Sequence, residues 1–165
     1  MKKFVFIGVT VAVFLGFAVW WYSPKQQVKR RTVTLLDTFN LEPGASKRMA
    51  PLGSYTLNAL LAPDIELHTT MGDEFSGTFP REELESVYEW LARNAKECRV
   101  EPIKIHSVAS HGDLIRVQVH CAVRVMVEDA LVINGGVAIQ MDWQLDSLGK
   151  WRLVSASWHE REAAP

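Results

Sequence analysis

The sequence predicts an α+β protein: a transmembrane helix at the amino terminus, then a domain in which helices pack on one face of a curved antiparallel sheet. Three observations carry this expectation. Phe4 to Tyr22 is an uncharged run of 19 residues. Between Ser46 and Arg99 apolar residues recur at helical spacing, and beyond Arg99 the period falls to two, as strands require. Charge also divides along the chain. Residues 1–31 hold six basic side chains and no acidic one, while the remaining 134 hold twelve basic against nineteen acidic, a net of −7. An acidic body excludes sequence-independent binding to nucleic acid, which needs a clustered basic face.

At 1.5 Å per residue the first run spans roughly 28 Å, close to the thickness of a bilayer core. Trp20, Trp21 and Tyr22 stand where it meets Ser23-Pro24, the place amphipathic aromatics take at a membrane interface. Lys2-Lys3 also begins a plausible secretory signal, but the small residues Gly16 and Ala18 lie inside the apolar run, and length favours an uncleaved signal-anchor over residues 1–23. A short leading tail favours an extracytoplasmic body, whereas Lys25, Lys29, Arg30 and Arg31 after the span count against that orientation. Gly8, Ala12 and Gly16 share one helix face, a spacing that lets two spans approach and self-associate.

Residues 24–31 read as a basic juxtamembrane tether near anionic head groups. Val33, Leu36 and Phe39 then keep helical spacing until Glu42-Pro43-Gly44. From Ser46 to Leu61, Met49, Leu52, Thr56, Leu57 and Leu60 suggest a second helix with Pro51 in its first turn. Ile65 to Thr70 alternates as a short strand, and a turn runs from Met71 to Gly77. The strongest helix begins near Thr78, with Glu82 and Glu83 at its positive end and Leu84, Val87, Tyr88, Leu91, Ala92 and Ala95 as its apolar stripe.

Four strands follow: Val100–Ser110, Leu114–Glu128, Val137–Leu148 and Trp151–His159, with turns at His111-Gly112-Asp113, Asn134-Gly135-Gly136 and Leu148-Gly149-Lys150. In the second, Ile115, Val117, Val119, Cys121 and Val123 alternate with Arg116, Gln118 and His120; in the third, Ile139, Met141 and Trp143 alternate with Gln140 and Asp142. One sheet face is therefore apolar and must be covered by the helices.

A helix, a short strand, a glycine-bearing turn, an amphipathic helix and a meander ending Trp-Arg-Leu-Val-Ser-Ala-Ser-Trp at 151–158: this order resembles the nuclear transport factor 2-like superfamily. The stretch LLAPDIELHTTMGDEFSGTFPREELESVYEWL from Leu60 is similar to that superfamily's central segment. The resemblance covers residues 32–160, leaving 161–165 as a tail, and implies a cone-shaped fold. It does not imply one activity, because the superfamily includes ketosteroid isomerase, polyketide cyclases, dehydratases, secretion-system assembly components and binding domains. The isomerase base would fall at Thr69 or Thr70, and a hydroxyl does not accept protons near neutral pH.

The expected pocket is lined by Val117, Val119, Val123, Ile139, Met141 and Trp143 on the sheet and by Val87, Tyr88 and Leu91 on the central helix; these side chains either border a cavity or fill the cone. His68, His106, His111, His120 and His159 are scattered without ligand spacing, so neither a metal nor another cofactor is expected. His120 is placed to face Asp142 or Gln144, and Arg116, Arg124, Asp142 and Asp146 suggest a charge ladder on the outer face. Cys98 and Cys121 either pair or serve as small core residues. The function expected is a membrane-anchored, non-catalytic binding or assembly domain on the periplasmic side of a bacterial inner membrane. It would hold a partner protein or a small apolar ligand, within an envelope or secretion complex. The alternative is an anchored lyase or isomerase of the polyketide-cyclase or dehydratase type, which needs a carboxylate and an imidazole converging from among His68, Asp73, His106 and His159.

Overall fold

The computed structural model describes residues 20–41, 46–70, 76–128 and 130–161. The apolar run up to residue 19, with Gly8, Ala12 and Gly16, lies outside them, as do the turn residues 71–75 and the tail beyond 161. Among the described residues no helix is long and apolar enough to cross a membrane.

Helix α1 (Pro24–Thr38) begins where Pro24 presets the first turn and the amides of Gln26 and Gln27 donate to the Ser23 carbonyl, both at 3.0 Å. Its buried stripe is Val28, Thr32, Leu35 and Leu36. The segment expected to be a basic tether is thus the first two turns of a core helix, because Val28 and Thr32 reach the interior between the cations.

Helix α2 (Ser46–Leu60) buries Ala50, Gly53, Ser54, Leu57 and Leu60, while Leu52 is 57% exposed. Leu57 and Leu60 face inward as expected, whereas Leu52 and Thr56 do not, and Gly53 and Ser54 take the inward positions instead. Pro51 falls in the second turn, where the Lys47 carbonyl loses its usual amide partner.

Strand β1 (Leu61–Thr69) follows directly, and β2 (Gly77–Pro80) pairs with it antiparallel. The Ser76 hydroxyl bridges both backbone groups of Thr69, accepting from the amide at 3.1 Å and donating to the carbonyl at 3.3 Å.

Helix α3 (Arg81–Asn94) starts after Pro80, three residues later than expected, since Thr78 is held in β2 by pairing with Glu66. It ends at Asn94, and Ala95 is already extended. Residues Ala95–Arg99 read as helical in sequence, yet they open strand β3 (Ala95–His111). Cys98 pairs with Leu41 through amide–carbonyl bonds of 2.7 and 3.2 Å and lies opposite Val125 in the next strand. Tertiary pairing outweighs helix propensity here.

Strands β4 (Leu114–Val127), β5 (Ala130–Leu145) and β6 (Trp151–Arg161) complete the expected meander. Asn134-Gly135-Gly136 is not a turn: these residues pair with Arg124, Val123 and Ala122 in the middle of the β4–β5 ladder. The reversal comes earlier, after Glu128, whose φ of 53° is left-handed. The six strands run β2-β1-β6-β5-β4-β3, with β1 parallel to β6 and every other pair antiparallel. Pro102 is tolerated because β3 is an edge strand, and the register slips between Pro102 and Lys104. Helices α1, α2 and α3 cover one face of the curved sheet, over a core that includes Trp143, Ile65, Leu57, Val117 and Val119.

Candidate functional site: a carbon-lined cavity

The register sets which side chains meet under the helices. Val123, Ile139 and Met141 come from the apolar parity of β4 and β5, and Leu153, Ala156 and Trp158 from that of β6. Leu35 and Leu36 of α1, Phe39 at its end, and Leu84, Val87, Tyr88 and Leu91 of α3 close the other side. Between them lies a cavity of about 390 Å³. Apart from the Tyr88 hydroxyl, the Trp158 indole nitrogen and the Met141 sulfur, the lining side chains end in hydrocarbon. Val87, 57% exposed, marks the mouth.

Six of the expected pocket residues, Val87, Tyr88, Leu91, Val123, Ile139 and Met141, line this cavity. Val117, Val119 and Trp143 do not; each is fully buried further along the same strands. The walls from α1 and from Leu67, Ile133 and Trp158 were missed. Their signals were present in the Leu35-Leu36-Phe39 spacing and in the inward parity of Trp158 opposite Ile139.

Tyr88 is the polar exception. It donates to the Thr38 carbonyl at 3.2 Å and stands edge-on to Phe39, ring centres 5.6 Å apart. Burial raises its pKa, and the neighbouring Cys98 thiol adds to the shift. Among the described residues, no carboxylate, imidazole or thiol lines the cavity. His68 is exposed and sits 3.1 Å from Glu66. His159 is exposed on β6, and Asp73 lies outside the described residues. His120 does not meet Asp142 or Gln144: it lies opposite Ala138, and its ring centre is 3.7 Å from that of His106. Among the described residues no cluster of three His, Cys, Asp or Glu is spaced to hold a metal ion.

The expected outer-face ladder resolves into separate pairs. Arg116 grips Asp142 with two hydrogen bonds of 2.7 Å, which raises the arginine's pKa. Arg124 pairs with Glu97 at 3.4 Å, and Asp146 takes Arg152 at 3.0 Å while accepting the Leu148 and Lys150 amides of the β5–β6 turn. Those bonds, the Lys150 amide foremost, lower the Asp146 pKa.

Cys98 and Cys121 are both free and buried. Cys98 lies opposite Val125 and Cys121 opposite Pro102, four residues apart along the ladder and beyond disulfide reach. Burial pushes each thiol from 9.0 up to about 11. At pH 8 iodoacetamide is therefore expected to alkylate the native protein about a hundredfold more slowly than the urea-unfolded chain. The native fold holds both thiol protons more tightly than the unfolded chain, so stability falls as the pH climbs from 9.0 towards about 11.

No protein-family model and no curated protein matches the sequence. Solved structures do match the fold. A nuclear transport factor 2-like superfamily protein from Salmonella enterica superimposes with a TM-score of 0.64 at 9% identity, over 86% of this chain and 93% of its own. A nuclear transport factor 2-like protein from Cytophaga hutchinsonii gives 0.61 at 15%, over 84% and 99%. A candidate dehydratase of that family from Streptomyces avermitilis gives 0.58 at 15%, over 84% and 96%. Residue order, sheet topology and these superpositions agree: the domain has the nuclear transport factor 2-like α+β fold.

Proposed function

We propose that the chain is a single-pass membrane protein whose domain stands on the extracytoplasmic side and holds a small apolar ligand without transforming it. The observation that carries the ligand reading is the cavity of about 390 Å³ with its hydrocarbon lining. That volume falls within the range of small-molecule sites, and an apolar wall favours an uncharged guest whose burial releases ordered water. A lyase or isomerase needs a proton acceptor at the reacting centre; His68, His106 and His159 are not among the lining residues. Residues 4–22 support the anchor by length and composition, and Gly8, Ala12 and Gly16 supply a face for pairing of two spans.

The apolar fluorophore N-phenyl-1-naphthylamine tests the ligand reading on the full chain in detergent. Ala156 lies against Met141 and opens on the cavity, so Ala156→Phe fills the space from its floor. The native protein is expected to show a saturable component of fluorescence that Ala156→Phe lacks at an unchanged melting temperature. Equal signals in the same micelles would sink the reading. A carboxyl-terminal alkaline phosphatase fusion, active only outside the cytoplasm, tests the placement, and an inactive but stable fusion reverses it.

A further inference from the structure

A second concavity lies at the end of the domain where the apolar run joins it. Tyr22, Arg30, Arg31 and Thr34 face Tyr55 and Thr56 of α2 across a cleft of about 520 Å³, and among the described residues no carboxylate lines it. Six other arginines are paired: Arg81, Arg93, Arg99, Arg116, Arg124 and Arg152 each lie against an Asp or Glu. Arg30 and Arg31 form no ion pair among the described residues.

Both are nevertheless held in place by neutral groups. Arg30 donates to the Trp21 carbonyl at 3.0 Å, with its guanidinium 4.6 Å from the centre of the Trp21 ring. Arg31 donates to the Ala59 carbonyl at 3.2 Å. Burial and the nearby Arg152 cation work against the Arg31 charge, with Asp146 opposing them. Two positioned guanidiniums with no ion-paired carboxylate among the described residues, beside the hydroxyls of Tyr22 and Tyr55, suit the charge of a phosphate group. Trp20, Trp21 and Tyr22 are 52%, 44% and 69% exposed beside the cleft, as interfacial aromatics are.

We propose that the cleft between α1 and α2 binds the phosphate of an anionic phospholipid. The lipid source rests on the anchoring proposed above, whereas the phosphate chemistry rests on the cleft alone. Binding would dock the otherwise acidic domain against the bilayer with this end down, countering the repulsion that an anionic leaflet exerts on it.

The test uses the full chain in a neutral maltoside detergent, with tryptophan fluorescence as the readout and dihexanoyl phosphatidylglycerol as the probe. Saturable binding is expected, about tenfold weaker in Arg30→Gln/Arg31→Gln and nearly unchanged in Lys25→Gln/Lys29→Gln, whose lysines lie on the same helix outside the cleft. Thr56→Glu keeps both arginines but sets a carboxylate beside them, and it too is expected to weaken binding about tenfold. Dihexanoyl phosphatidylcholine and inorganic phosphate should each bind about tenfold more weakly than phosphatidylglycerol. Equal loss in the lysine variant would reduce the effect to diffuse charge and overturn the cleft. So would equal binding of phosphatidylcholine, or the absence of saturation. Inorganic phosphate binding as tightly as phosphatidylglycerol overturns the lipid source. Alkaline extraction of native membranes reads the anchor separately: release of the chain sinks the span and leaves the micelle result standing.

Discussion

Gly53→Ala is expected to destabilise the protein by about 3 kcal/mol, opposite in sign to the gain of about 1 kcal/mol that this change brings in an open helix. A Cβ at residue 53 would fall on the ring of Tyr88. That ring has nowhere to go without loss, being 2% exposed, bonded to the Thr38 carbonyl and packed edge-on against Phe39. Moving it outward breaks the junction of α1, α2 and α3, and moving it inward fills the cavity. Urea unfolding measures the cost, and a cycle with Tyr88→Leu assigns it. With the ring removed, Gly53→Ala should cost little or stabilise α2. The same loss in both backgrounds would show that the close approach of Tyr88 to Gly53 is not its cause.

That junction shows where sequence reading stops. A glycine inside a helical pattern reads as a weak helix former, because nothing local announces a tyrosine on a later helix that needs the space. The period-two alternation of β4 and of the later half of β5 and the apolar stripe of α3 were legible, since each element's own burial imposes its spacing. Asn134-Gly135-Gly136 was misread for the converse reason: the dipeptide's turn preference is local, whereas ladder pairing with Val123 and Arg124 is not. The helical packing of residues 24–31 was not legible because the cations of α1 masked the two inward positions, Val28 and Thr32, that decide its placement.

The candidate site was legible to the same depth. Parity assigns a residue to a sheet face, but the covering helix decides whether that residue becomes cavity wall or solid core, and α1 crosses the sheet at a place no strand pattern records. Val117, Val119 and Trp143 share their face with Val123 and Ile139 but end under packed side chains. The histidines failed as an acid/base set for a related reason. Their positions place them on the outer face or at its edges, with the rings of His106 and His120 tilted against one another and His68 beside Glu66.

Trp143→Ala and Ile139→Ala should separate core from cavity wall. Trp143 is fully buried between Ile115 and Leu153 on neighbouring strands, so its loss opens a new void and is expected to cost about 4 kcal/mol in urea unfolding. Trp143→Phe is expected to stay within about 1 kcal/mol of the native protein. It keeps much of the volume and removes an indole N–H that is buried without a hydrogen-bond partner among the described residues. Ile139 already borders empty space and has fewer contacts to lose, which puts Ile139→Ala near the low end for such truncations, about 2 kcal/mol. The binding readout should run the other way. Ile139→Ala enlarges the cavity and changes the affinity for N-phenyl-1-naphthylamine, whereas any folded Trp143 variant keeps the native affinity. If Trp143→Ala instead unfolds no more easily than the native protein yet loses the fluorophore, Trp143 is a wall of the cavity after all, and the boundary between core and site lies further along β5.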